Sequence, residues 1–429
     1  MTQDADRLDP LQPAALRAHV AQTLRFYFDP DPQHATSPGR PRAVDPTGGL
    51  FHFFKDDGRV YDTRTRHLVS STRFVFTCAN ALRHTADPRY LDLTIHALDF
   101  VEQVHRDPTT GGYAWLLEWD GQRARPDRRR VLDATNHCYG LAFVLLAHAS
   151  ALRAGIGSAR EGLERCFDLM DLHFWQPEHG LYADEADAQW RLAPYRGQNA
   201  NMHACEALLA AFEATGDLHY LDRAHAVATS LTVRQAGIAA LPEGMIWEHH
   251  GPDWSPDWSY NRGDRTNIFR PWGVQPGHLV EWTKLLLSLE RHRPLPWLLP
   301  RATQLYDAAW RFGWDEAHGG LVYGITPEGA WHDDEKYFWV QAEAIAASAF
   351  LWKRWQIAHE PARSHRYRDD CRRLWAYADR HFVDHQHGAW YRVLSRDHRK
   401  LSDEKSPAGK VDYHTLGACW ELLRILDAA

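Results

Sequence analysis

One short turn returns six times along this chain, and no other feature limits its fold as strongly. The first copy reads Asp45-Pro46-Thr47-Gly48-Gly49-Leu50-Phe51, the second Asp107-Pro108-Thr109-Thr110-Gly111-Gly112-Tyr113. Pro177-Glu178-His179-Gly180-Leu181-Tyr182 follows, then a looser Leu241-Pro242-Glu243-Gly244-Met245-Ile246-Trp247. The last two are Asp315-Glu316-Ala317-His318-Gly319-Gly320-Leu321 and Asp384-His385-Gln386-His387-Gly388-Ala389-Trp390. The final glycines fall at 49, 112, 180, 244, 320 and 388. Such near-regular spacing marks a repeat architecture. The stretches between copies, such as Ala204–Phe212, Leu279–Leu287 and Gln341–Trp352, place apolar residues at three- and four-residue steps, the helical pattern. Each interval has room for two helices and a short extended piece. The expected fold is all-α: six helical hairpins closed into an (α/α)6 barrel, with short β-hairpin-like loops at the pocket end. An open solenoid is the alternative, but it would call for polar capping repeats, and none is visible. With no Ser/Gly linker in 429 residues, one catalytic domain spanning 1–429 is expected.

Charge and motif absences narrow the function. The net charge is −7 and no basic run is longer than Arg128-Arg129-Arg130, so nucleic acid is not an expected partner. No stretch approaches the roughly 20 apolar residues of a membrane span. The N-terminus, Met1-Thr2-Gln3-Asp4, has no apolar leader, and a cytoplasmic location is expected. The six cysteines are scattered without a C-x-x-C, as free thiols would be. There is no dinucleotide-binding G-x-G-x-x-G, no phosphate-cradling loop and no nucleophile elbow. What the chain has in excess is 27 His and 19 Trp, a bias compatible with acid–base chemistry, sugar stacking, metal binding or lineage alone.

Three segments carry candidate chemistry. In Arg196–Ala207, Asn199 and His203 lie four apart and share a helical face. In Phe269–Trp282, Pro276-Gly277 ends a loop and His278 opens a helix, with Glu281 three residues on. A histidine at a helix N-terminus is kept neutral by the dipole, and Glu281 is placed to orient the ring. In Lys410–Glu421, His414 sits where the last inner helix should begin. His203, His278 and His414 occupy equivalent places in different repeats, so a toroid would bring them to one mouth. Zinc could use such a trio; His249-His250, being adjacent, is a poor metal pair. Arg73 is a candidate for a sugar oxygen, Tyr113, Trp247 and Trp339 for stacking, and Glu248 and Glu343 for hydroxyls. For each, a structural role is the plain alternative.

At these segments the chain resembles the N-acylglucosamine 2-epimerase superfamily. The resemblance rests on Asn199, Met202-His203 and Glu206, on Phe269-Arg270-Pro271 through Pro276-Gly277-His278 to Glu281-Trp282, on Lys336, Trp339, Gln341 and Glu343, and on Tyr413-His414. It covers most of the chain from Arg73 onward. The segment Asp253–Arg262 looks most like the mannose isomerase and sulfoquinovose isomerase branch. The resemblance implies an (α/α)6 barrel and a metal-independent aldose–ketose isomerase without cofactor. It implies a monosaccharide substrate: D-mannose and D-fructose first, D-lyxose and D-xylulose second. It further implies His278 and His414 as the acid–base pair, with Arg73, Tyr113, Asn199, His203, Glu281, Trp339 and Glu343, and less securely Glu248, lining the sugar site. A monomer or weak homo-oligomer is expected. The chemistry suits histidine, whose pKa lies near working pH. His414 is expected to take the C2 proton and His278 to move protons at the oxygens, with Arg73 stabilising the enediolate. Rival readings are a 2-epimerase, an inverting glycoside hydrolase and a non-catalytic sugar-binding toroid.

Overall fold

The computed structural model describes residues 11–30, 39–121, 129–264, 267 and 269–427. Among these, helices alternate between an outer and an inner ring. The pairs are α1 (Pro13–Phe28) with α2 (Leu68–Thr85), α3 (Arg89–Phe100) with α4 (Cys138–Arg153), and α5 (Ala159–His173) with α6 (Gln198–Thr215). Then come α7 (Leu218–Thr229) and the one-turn α8 (Ala236–Ala239) with α9 (Pro276–His292), α10 (Leu298–Gly313) with α11 (Phe338–Ile357), and α12 (Pro361–His381) with α13 (Tyr413–Asp427). The second member of each pair is inner. The ring closes where α13 packs on α2 and α1 packs on α13, so the toroid, not the open solenoid, is what forms.

Composition explains which helices face inward. In α4 and α11 nearly every residue of the first three turns is buried, and their sequences are apolar all round, as an enclosed helix requires. The outer α12 buries only a stripe, including Tyr367, Cys371, Leu374 and Ala378, and gives its charges to water. No helix of the described residues is long and apolar enough to cross a membrane.

The recurring turn is the joint of the repeat. Asp315 accepts backbone N–H groups from Ala317 and His318 while its own N–H reaches Gly320. Asp384 does the same with Gln386, His387 and Ala389. Gly320 and Gly388 have φ of +76° and +91°, the left-handed region that glycine enters without strain. A buried cation 21 residues downstream neutralises each aspartate: Arg66 on Asp45 at 2.5 Å, Lys336 on Asp315 at 3.3 Å and Lys405 on Asp384 at 2.7 Å. Lys336, one of the residues behind the family resemblance, is therefore a structural lysine.

Beyond the turn the chain forms short strands rather than one extended piece. The strand entering each inner helix pairs with a strand of the next repeat. Thr65–His67 pairs with Leu116–Glu118, Asn136–His137 with Glu185–Ala186, and Arg196–Gly197 with His249–His250. Val274 bridges to Ile325, and Lys336–Tyr337 pairs with Val393–Leu394. Glu404–Ser406 returns to Phe53–Lys55 and completes the belt. This belt pins the N-termini of the inner helices around one end of the barrel.

Candidate active site

The inner helices begin in register, and their second and sixth residues face the axis. These are Tyr139 and Phe143 on α4, Asn199 and His203 on α6, and Trp339 and Glu343 on α11. On α2 the sixth residue, Arg73, serves, and on α13 the second, His414. Helix α9 departs from the pattern. Its second residue is Gly277, where a Cβ would lie 2.4 Å from the Trp339 ring. Trp339 fills that space, and His278, the third residue, takes the axial place, with Glu281 sixth. Arg73, Tyr139, Asn199, His203, Phe269, Pro271, His278, Glu281, Tyr323, Trp339, Lys410 and His414 line a cleft of about 380 Å³. A larger groove of about 1410 Å³ lies at the other end of the barrel, among Arg17, Arg83, Tyr90 and Trp420. Among the described residues its only lining histidine is His84, which stacks on Trp420, so the acid–base set belongs to the smaller cleft.

Two histidines in the cleft are each backed by a carboxylate. His414 Nδ1 lies 2.7 Å from Glu343 Oε1, and Glu343 Oε2 accepts from Lys284 Nζ at 2.6 Å. His278 Nδ1 lies 3.0 Å from both oxygens of Glu248. Trp282 donates to Gln198 Oε1 at 2.9 Å, which turns the Gln198 amide nitrogen toward Glu248 at 2.8 Å. An ionised carboxylate only accepts, so the Nδ1 of His414 carries a hydrogen and its Nε2 keeps a free lone pair; at His278 the Gln198 amide nitrogen also reaches Nδ1, at 2.7 Å. The Trp339 ring stands between the two imidazoles, its centroid 5.3 Å from His278 and 5.6 Å from His414. Burial holds the His414 pKa well below the usual imidazole value, and the nearby Arg73, Lys284 and Lys410 push the same way. His414 is thus a neutral base at physiological pH.

The third histidine belongs to the floor. His203 Nδ1 lies 3.0 Å from Glu206, which also accepts from the Tyr413 hydroxyl. Glu281 lies 3.8 Å from His203, and neither of its buried oxygens has a hydrogen-bond partner. Desolvation and the negative charge of Glu343 raise its pKa well above the carboxylate range, which favours its neutral form. His203, Glu206 and Glu281, or Glu281, Glu343 and His414, offer donor atoms within 4.8 Å of one another, close enough to share a metal ion. Lys284, hydrogen-bonded to Glu343 and attracted by Glu206, already supplies a cation to this acidic group.

Several expected placements change. Tyr113 does not line the cleft. Its hydroxyl donates to Glu102 at 2.7 Å, in a buried group with His148 and Arg165, because the second turn aims its aromatic residue between α4 and α5. Trp247 is buried too, its indole donating to the Asp257 carbonyl. Glu281 does not orient His278; Glu248 does. Glu248 and Glu343 stand behind histidines rather than at the cleft surface. Sequence reasoning passed over Tyr139, Phe269, Pro271, Tyr323 and Lys410 as lining residues, and Gln198 and Lys284 as supports. Reading positions two and six of every inner helix would have found Tyr139.

The sequence profile of the family N-acylglucosamine 2-epimerase (GlcNAc 2-epimerase) matches residues 49–418. The chain is 46% identical to a D-mannose isomerase of Marinomonas mediterranea over 412 residues, 96% of this chain and 97% of that protein. A crystal structure of D-mannose isomerase superposes with a TM-score of 0.89 at 44% identity, covering 98% of this chain and all of the other. The cellobiose 2-epimerase of Spirochaeta thermophila superposes with a TM-score of 0.78 at 23% identity, covering 97% and 96%. That last likeness is one of fold.

Proposed function

The chain belongs to the N-acylglucosamine 2-epimerase family, and from that premise we propose that it is an aldose–ketose isomerase interconverting D-mannose and D-fructose, with D-lyxose and D-xylulose as a second pair. The observation that carries this reading is the pair of carboxylate-backed imidazoles flanking Trp339 in one cleft. The high identity to D-mannose isomerases over nearly the whole chain supports the choice of sugar.

In this mechanism the open-chain aldose lies with its C1–C2 edge between the two imidazoles. His414 Nε2 takes the C2 proton, the C1 carbonyl oxygen gains the electron pair, and a cis-enediolate forms. His278 transfers a proton between O1 and O2, and His414 returns its proton to C1, giving the ketose. Glu343 stabilises the His414 imidazolium as it forms, and Glu248 does so for His278. Trp339 supplies an apolar face for the sugar, while Asn199, His203 and the neutral Glu281 offer hydrogen bonds to its hydroxyls. All of these groups are side chains of this protein, and Lys284 already supplies a cation to the acidic floor. We therefore propose that the reaction needs neither metal nor cofactor.

The test is incubation with mannose in D2O after exhaustive chelation with EDTA, with products resolved by chromatography and NMR. Fructose carrying deuterium at C1 is the expected product. Glucose without net fructose would make the protein a 2-epimerase, and loss of turnover restored by a divalent metal would overturn metal independence.

A further inference from the structure

Among the described residues, two cations around the cleft meet no carboxylate. Glu248 is matched by His278 and Gln198, Glu343 by His414 and Lys284, and Glu206 by His203 and Tyr413. Burial and the charge of Glu343 favour the neutral form of Glu281. Arg73 meets no carboxylate: it lies over the Phe143 and Tyr413 rings, 4.4 and 4.7 Å from their centroids, and donates to the Gly409 carbonyl and the Tyr139 hydroxyl. Next to Gly409 is Lys410. Among the described residues its ammonium has no hydrogen bond or ion pair; it faces the Phe269 and Trp339 rings at 5.9 and 6.0 Å.

The backbone beneath Lys410 is fixed from both sides. The Gly409 N–H donates to Ser70 Oγ at 2.9 Å, and its carbonyl accepts from Arg73. Gly409 has φ +71°, a conformation suited to glycine. Two residues further on, Asp412 is held by Arg392 at 2.6 Å and Tyr27 at 2.6 Å. A long, flexible side chain thus rises from a rigid base into the cleft that holds His278 and His414.

A neutral sugar brings no charge to this wall; the enediolate does. Groups that interact only with charge developed in the transition state raise turnover rather than affinity. Two donors of Arg73 are engaged by protein oxygens, whereas all three of Lys410 are free. We propose that Lys410 is a further catalytic residue, its ammonium binding the sugar oxygen that becomes anionic when the C2 proton leaves. This deepens the isomerase reading and rests on it for the intermediate, which a 2-epimerase would share. Burial and the adjoining Arg73 and Arg392 lower the Lys410 pKa to about 7. The arriving oxyanion therefore also favours the charged form.

Equilibrium binding separates this role from packing. D-Arabinonohydroxamate, when ionised, copies the enediolate; D-mannitol is a neutral analogue of the same chain. Calorimetry on the wild type, Lys410→Met and Lys410→Arg proteins should find hydroxamate binding at least 30-fold weaker in Lys410→Met and mannitol binding within threefold. Turnover of mannose should fall about 10²-fold, the effect of losing one oxyanion donor. KM should stay within threefold, and Lys410→Arg should recover most of the loss. Equal weakening of both ligands would make Lys410 a packing residue, and unchanged hydroxamate binding would leave it no role; either overturns the proposal. So would Lys410-dependent binding of a hexose 6-phosphate with hydroxamate binding intact, since Lys410 would then read a charge on the substrate. A wild-type enzyme that yields glucose instead of fructose refutes the isomerase reading alone, because the hydroxamate discrimination would still hold.

Discussion

Two groups of buried histidines in this molecule use the same ring for opposite ends. In the cleft, His278 and His414 each turn Nδ1 to a glutamate and Nε2 to open space. Beneath the first repeats, His52, His67 and His105 are equally buried, their hydrogen-bond partners are neutral, and the charges near them are those of Arg66, Arg73 and Arg129. The His52 Nδ1 accepts the His67 backbone N–H at 3.1 Å, so its Nε2–H points to Ser71 Oγ at 3.3 Å. Ser71 in turn lies 2.9 Å from His105 Nε2, and His105 Nδ1 donates to the Ala114 carbonyl at 2.9 Å. His67 Nδ1 accepts from the Val69 N–H at 3.2 Å. Every ring nitrogen of His52 and His105 is occupied by a partner that suits the neutral imidazole and offers nothing to a second proton. On the proposed reading, the two catalytic histidines differ from these structural ones by a carboxylate behind one nitrogen and a free approach to the other.

The sharpest test of this contrast substitutes one ring from each group. His414→Gln should lower kcat/KM for mannose about 10³- to 10⁴-fold, the upper range for loss of a general base, with the melting temperature little changed. His105→Gln should leave kcat/KM within threefold and lower stability by about 1–3 kcal/mol, because Ser71 and the Ala114 carbonyl lose a buried partner. Steady-state kinetics with thermal melts on both proteins check the pair. An active His414→Gln enzyme would erase the distinction.

The carboxylates come next. Glu343→Gln keeps the shape but removes the charge that holds the His414 imidazolium and Lys284, and kcat should fall about 10²-fold, as loss of a preorganised electrostatic partner does. Glu281→Gln replaces a group that is already neutral, so kcat should stay within threefold. A large loss in Glu281→Gln alone would mean that Glu281 works as an anion, against the raised pKa that its desolvation implies.

Much of this was legible in the sequence, for a definite reason. The six glycine turns are local, since φ > 0 and Asx hydrogen bonds need only a few adjacent residues, and they gave away the repeat and with it the barrel. His203, His278, Trp339 and His414 were found because they sit near helix starts in equivalent repeats. The pairing of Glu248 with His278 was hidden, because it depends on Arg196–Gly197 bonding to His249–His250 across two repeats. Lys410 was hidden by its place in the loop before α13, and Tyr139 by being an ordinary aromatic in an apolar helix. Tyr113 misled because aromatic residues follow several of the turns, and only the packed structure decides which reach the axis.

The smallest effect per residue, about 2 kcal/mol, concerns acid. Burial lowers the pKa of His67 to about 3 and of His105 to about 4, and holds His52 well below the usual imidazole value of 6.5. A histidine whose folded pKa is depressed takes up its proton in the unfolded chain first. The stability it contributes is therefore complete above the unfolded pKa and is lost as pH falls from 6.5 toward the folded pKa. At pH 5 each such ring lies 1.5 units below that starting point, worth about 2 kcal/mol. Three together, about 6 kcal/mol, fall within the 5–15 kcal/mol that typically holds a protein folded. Far-ultraviolet circular dichroism and urea unfolding, followed from pH 7.5 to 4, should therefore find the urea midpoint falling steeply below pH 6. In His105→Gln the fall should be shallower, since one proton-binding site is gone from the unfolded chain. In His414→Gln it should be shallower as well, for His414 is also depressed. Activity tells the two apart: His105→Gln keeps turnover as it gains acid resistance, and His414→Gln does not. An urea midpoint flat from pH 7 to 4.5 would mean that the three rings are protonated in the fold, and the neutral network drawn from their hydrogen bonds would have to be abandoned.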